Sequence, residues 1–257
     1  MTAGYDVPPD VGAYYDRWSS AAAVFRDEAG GDLDVAYGPG DAERIDFFSP
    51  AEAADAIVLF FHGGFWVEGD RRLYSHLAAG PLAHRLAVGV VGYALAPAVE
   101  LAVIVDQAKA AVRFAASRRS LPVVVAGHSA GGHLAAMAVA DATVPTNHGV
   151  AVSGVFDLEP LLELPLSKLL RLDPDAARRL SPVRLDPPPG VALQLAVGEA
   201  ETEEWHRQSR DLARRWGTQA EYRSIPGRHH LSVIEDLAEP NGTLARLCRA
   251  AADRAVT

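Results

Sequence analysis

The sequence has little sulfur and little positive charge. Of 257 residues one is cysteine, Cys248, so no disulfide can close within the chain. It falls in LARLCRAAADRA, a run at helical spacing, where a packing role is expected rather than a reactive one. Lysine and arginine number 24 against 33 aspartates and glutamates, a formal charge of −9, with the acids spread along the chain. Nucleic acid is therefore not an expected partner. No stretch approaches the ~18 uncharged apolar residues of a membrane span, and the opening MTAGYDVPPD lacks the basic start and apolar core of an export signal. A soluble, cytoplasmic protein is expected, with no membrane partner. HExxH runs, metal-type histidine spacing and phosphate-binding loops are missing, so no cofactor and no metal are expected. There is no internal repeat.

What is present is a chain 49% hydrophobic, enough for one sizeable core, and a single domain over residues 1–257 is expected. Short apolar runs alternate with alanine-rich runs at helical spacing. The strand candidates are AIVLFF (56–61), VGVVGY (88–93), PVVVAG (122–127), GVAVSG (149–154) and VALQLAVG (191–198), apolar on both faces as central parallel strands are. Upstream, DLDVAYGPGDAERIDFFSP reads as two strands turning through GPGD, an antiparallel pair that opens the sheet. VDQAKAAVRFAAS, HLAAMAVADA and EEWHRQSRDLARRW read as crossover helices. The class is α/β, a mostly parallel sheet flanked by helices. Residues 157–190, richer in Leu, Pro and Arg, read either as a small cap over the site or as surface helix with a stiff connector.

Gly127-His128-Ser129-Ala130-Gly131 fits G-x-S-x-G with a buried strand before it and a helix after it. Such a turn lifts the serine hydroxyl above the sheet edge, and the helix start aims amides at any anion formed there. Ser129 is the candidate nucleophile. After the strand IVLFF comes His62-Gly63-Gly64-Phe65-Trp66, where consecutive glycines let amides approach a carbonyl oxygen. Gly63, Gly64 and Ala130 are the candidate oxyanion hole. Phe65 and Trp66 are candidate aromatic lining for the substrate, with packing beneath the loop an equal alternative for Trp66.

A serine needs a base and the base an orienting acid, in the chain order Ser, acid, His for this kind of turn. His62, His128 and His133 read as structural, and His76, His84, His148 and His206 lie in ordinary elements. His229 and His230, in IPGRHHLSVIE, remain as base candidates. For the acid the loop GEAETEEW offers Glu201 and Glu199, with Asp157 third; Glu203 and Glu204 fit better as the acidic start of the next helix.

These residues resemble the α/β-hydrolase fold and, within it, the kynurenine formamidase (arylformamidase) family. HGGFW is similar to that family's HGGYW, and GHSAGGHL to its nucleophile stretch. LDVAYGPGDAERIDFFSP, YALAPAVEL with Gln107, SGVFDLEPLL, RLSPV, EEWHRQS and GRHHLSVIE follow in family order, across most of residues 14–236. Phe65 stands where the family has tyrosine, and LPLSKLLRLD lacks an asparagine the family often carries there. The resemblance implies Glu201 as acid and His230 as base. It further implies a serine hydrolase that releases formate from N-formylkynurenine through a formyl-enzyme. A carboxylesterase or small-amide hydrolase of specialised metabolism uses the same set of residues. A ligand-binding protein without turnover is the remaining reading. The expected partner is an aromatic amide or ester of small size; a homodimer is compatible with the sequence, and no motif encodes it.

Overall fold

A computed structural model describes residues 4–8, 10–118 and 120–256. Eight strands form one sheet in the order β1-β2-β4-β3-β5-β6-β7-β8. They are β1 (Asp32–Ala36), β2 (Arg44–Phe48), β3 (Ala56–Phe61), β4 (Leu86–Val91), β5 (Val123–His128), β6 (His148–Val152), β7 (Ala192–Gly198) and β8 (Ala220–Ile225). β2 is antiparallel to both β1 and β4, and every other pair is parallel. The opening antiparallel pair and the five apolar runs thus lie where the sequence puts them, within one or two residues at their ends.

The α-helices are α1 (Val11–Ala29), α2 (Ala79–Ala83), α3 (Leu101–Arg118), α4 (Ala130–Val139), α5 (Leu166–Leu170), α6 (Pro174–Arg179), α7 (Glu203–Trp216), α8 (Ser232–Glu235) and α9 (Thr243–Val256). Because β3, β4 and β5 are apolar on both faces, the sheet buries two cores. One lies under α3, α4 and α7, the other under α1 and α9. Cys248 is fully buried in the second, and burial pushes its thiol up to about 12, which leaves it a packing residue.

α4 is hydrophobic all round and buried along its length, as a helix held between a sheet and other helices must be. Its start can press onto the sheet because Gly131 has no side chain. A Cβ there would sit 1.9 Å from the carbonyl oxygen of Phe61.

Residues 157–190 pack as a layer on α4 and α7. Leu158, Leu161, Leu170 and Ala177 are buried in the first core. The Ser181 hydroxyl accepts from the Leu158 amide at 2.8 Å and donates to the Ala177 carbonyl at 2.6 Å. His133 on α4 donates to the Leu180 carbonyl at 2.7 Å. These contacts anchor the segment as a packed layer on α4 and α7. α1 is absent from the sequence reading, and it matters most for the site.

Candidate active site

Parallel strands end at one edge of the sheet, and that edge gathers the chemistry. β3 ends before Gly63, β5 before Ser129, β6 before Ser153, β7 before Glu201, and β8 before His230.

Ser129 joins β5 to α4 in a left-handed conformation, φ 56° and ψ −117°, that a non-glycine residue adopts only when its surroundings force it. The force is visible: the Ser129 amide donates to the Val152 carbonyl at 2.8 Å, and its carbonyl accepts from His133 at 3.2 Å. Gly63 lies against it, and a Cβ on Gly63 would fall 3.2 Å from that of Ser129. Among the described residues the amides of Gly63 and Gly64 have no hydrogen-bond acceptor, and Ala130, first residue of α4, has none within its helix. Gly63 and Gly64 line the same cavity as Ser129, and Ala130 follows Ser129 in the chain. Gly64 closes the loop at φ +112°, accepting at its carbonyl from Val67 at 3.0 Å and Glu68 at 3.1 Å.

His230 Nδ1 is 2.7 Å from Glu201 Oε2, with side-chain exposures of only 4% and 0%. A carboxylate only accepts, so Nδ1 carries the proton and Nε2 is left with a lone pair. Glu201 is held in turn: its Oε1 accepts from the Ser153 hydroxyl at 2.5 Å and the Gly198 amide at 2.7 Å. Ser153, wholly buried, sits at φ 49° to make that contact.

The neighbouring histidine has the other tautomer. His229 Nδ1 accepts from the Leu231 and Ser232 amides, both at 3.3 Å, so its Nε2 donates to the Tyr14 hydroxyl at 3.0 Å. No carboxylate orients it. Of the other acids, Glu199 is exposed and accepts from the Gly227 amide at 2.9 Å. Asp157 accepts from Glu159 and faces Arg207. Neither meets a histidine. The structure brings Ser129, Glu201 and His230 to one edge and leaves the rival candidates outside.

His62, His128 and His133 take structural roles. His62 stacks on Tyr93 at 4.3 Å and donates to the Gly63 carbonyl at 2.7 Å; burial lowers its pKa to about 4. His128 donates from Nε2 to the His230 carbonyl at 2.7 Å, and burial, then the neighbouring His230, keep it well below the ordinary histidine value. Burial likewise lowers His133 to about 4.

A cavity of about 100 Å³ opens onto Ser129 and His230. Phe65 lines it; Trp66 does not. Trp66 is 0% exposed and meets His133 edge-on at 5.0 Å, so of its two readings it has the packing one, and its candidacy as substrate lining is withdrawn. No residue of 157–190 reaches the cavity, so that segment is no cap over it. The outer wall comes from the N-terminal segment instead: Val7, and Val11, Tyr15 and Trp18 of α1.

Three further residues act here without a sequence motif of their own. Ser153 is one. Trp205, in the first turn of α7, stacks on the His230 ring at 3.9 Å and 21°. Gln208, one turn on, accepts from the amides of Phe156 and Asp157 at 2.8 and 2.7 Å and so fixes the chain leaving β6. The signal for Trp205 and Gln208 is their place in EEWHRQS, at the spacing that faces a helix inward, and for Ser153 its place at the start of SGVFDLEPLL. Among the described residues no cluster of His, Cys, Asp and Glu is arranged to hold a metal, and no helix is long and apolar enough to cross a membrane.

Comparison with known proteins gives the same frame. A family model of the α/β hydrolase fold matches residues 58–180. A kynurenine formamidase of Danio rerio is 29% identical over 234 residues, 84% of this chain and 80% of that protein. That of Drosophila melanogaster is 26% identical over 83% and 79%. A solved structure from Silicibacter sp. TM1040, of a protein provisionally described as a thioesterase, superposes with a TM-score of 0.90. It is 33% identical and covers 96% of each chain. An esterase of Pyrobaculum calidifontis shares the fold at 19% identity and a TM-score of 0.72, over 98% and 96%.

Proposed function

This chain belongs to the α/β hydrolases and is a hydrolase of amides or esters; from that premise we propose that it cleaves an aryl formamide, with Ser129 as nucleophile, His230 as base and Glu201 as the acid that orients it. The contact that carries the reading is His230 Nδ1 on Glu201 Oε2 at 2.7 Å, because it leaves Nε2 with a lone pair to take a proton, and His230 lines the same cavity as Ser129. In the proposed sequence that proton comes from the Ser129 hydroxyl as Oγ attacks the formyl carbon. The negative charge on the carbonyl oxygen falls to the amides of Gly63, Gly64 and Ala130. The carbon–nitrogen bond then breaks, and His230 hands its proton to the departing aniline nitrogen. Water attacks the formyl ester in the same way, formate leaves, and Ser129 regains its proton. The formamidase relatives favour formyl as the acyl group, and so does the small cavity.

The test is steady-state kinetics on N-formylkynurenine beside a short-chain aryl ester, with Ser129→Ala as control. A kcat/KM above about 10⁴ per molar per second on the formamide, lost in the variant, is the expected outcome. A second reading, an esterase or thioesterase with the same residues, is favoured by the 33%-identical relative. It predicts cleavage of the ester or thioester and none of the formamide. If a serine-directed phosphonate fails to label Ser129, both readings are lost.

A further inference from the structure

Besides Ser129 and His230, the cavity is lined by aromatic rings and one carboxylate. Tyr15, Trp18, Phe65 and Tyr74 line it, and Glu68 supplies its acid. Trp18 stands between the two tyrosines, 5.8 Å from the Tyr15 ring and 5.5 Å from the Tyr74 ring. The turn at Gly64 brings Glu68 back over this group, where its Oε1 accepts from the Tyr15 hydroxyl at 3.4 Å. Burial, then Glu68, raise the Tyr15 phenol to about 12, so it stays a donor at neutral pH. Among the described residues lining the cavity there is no lysine and no arginine.

Ring faces carry partial negative charge and a carboxylate a full one, so such a wall attracts a cation. A primary ammonium suits it better than a quaternary one, because Glu68 Oε1 is already used as a hydrogen-bond acceptor and an ammonium can donate to it. The same wall sets the Glu68 carboxylate against a substrate carboxylate, and its one side-chain hydroxyl donor near that acid, Tyr15, already donates to Glu68. Resting on the reading of Ser129 and His230 given above, we propose that Glu68 and its aromatic neighbours form a subsite for a primary ammonium on the leaving group. The preferred substrates are then cationic aryl amides or esters rather than neutral or zwitterionic ones.

The experiment uses matched ortho-acyl formanilides whose side chain ends in an aminoethyl group, a hydroxyethyl group or an α-amino acid, the last being N-formylkynurenine. The aryl acetates with the same side chains run beside them. In the wild type, kcat/KM for the aminoethyl compound is expected to exceed that of the hydroxyethyl compound about tenfold at low ionic strength. It should also exceed that of the zwitterion severalfold, with the differences carried by KM. Glu68→Gln should bring the cation-to-neutral ratio close to one, and Glu68→Asp should keep part of it. A wild-type ratio near one, or a ratio that survives Glu68→Gln, overturns the subsite, as does a zwitterion preferred to the cation. If only the acetates are cleaved, the formamidase reading fails while the charge comparison is still read on the acetates.

Discussion

The weight carried by Ser153 rests on a single hydroxyl. Glu201 divides its work: one oxygen holds His230, the other is held by Ser153 and the Gly198 amide. Removing the hydroxyl leaves that oxygen half satisfied and the carboxylate free to rotate. Ser153→Ala is expected to lower kcat about tenfold with KM nearly unchanged, and a melting temperature close to wild type would separate this from misfolding. His230→Ala should cost at least about 10³-fold in kcat/KM, whereas His229→Ala, which loses the Tyr14 contact and an acceptor for the Leu231 and Ser232 amides but no carboxylate partner, should keep most turnover. Equal losses in the two variants would undo the assignment of the base. At this scale the sequence is informative where chemistry dictates residue type. Ser129 stands out between its glycines, and the base reduces to two adjacent histidines, one of which the family resemblance selects. Ser153, Trp205 and Gln208 do not stand out, because their partners lie on neighbouring strands and helices, and adjacency in the sheet is not written in local pattern.

Among the elements, the central strands are legible because each is a short apolar run between turns, and α3 and α4 because alanine recurs at helical spacing. α1 is not. Of its 19 residues only Tyr14, Trp18 and Ala22 are buried, a stripe one side chain wide that leaves little period to detect. It is nonetheless fixed: Trp18 Nε1 and Arg17 both donate to Glu235 at 3.1 Å, joining α1 to α8 just beyond the base. Residues 157–190 were read with a cap as one alternative, since an insertion between strands can fold over a site; here the segment folds against α4 and α7. Hydrogen exchange should find the amides of Leu158 and Val183 as slow as those of the central strands. Rapid exchange would restore the lid. For α4, Gly131→Ala should destabilise the protein by about 2 kcal/mol or more in urea unfolding, because backbone, not a flexible side chain, stands in the way.

Across the whole molecule, burial lowers five histidines: His62, His76, His128, His133 and, less deeply placed, His148. His62, His76 and His133 are lowered to about 4, and His128 is held well below the ordinary value near 6.5. Below about 6.5 the unfolded chain takes up protons that the folded one refuses, so stability is full above that pH and is lost as pH falls toward 4. The loss is on the order of 3 kcal/mol for each of His62 and His133 by the time pH reaches 4. Urea midpoints measured from pH 7.5 to 4.5 should therefore fall steeply below pH 6.5. A flat profile would mean that these imidazoles charge at their ordinary value inside the fold.

The wall that Val7, Val11, Tyr15 and Trp18 give the cavity is encoded well upstream of Ser129, Glu201 and His230. Part of the cavity wall is thus inherited from a piece of chain separate from the proposed catalytic residues. Grafting the first two dozen residues of a relative onto this scaffold becomes a practical route to new acceptor preferences, with every proton-carrying residue left in place.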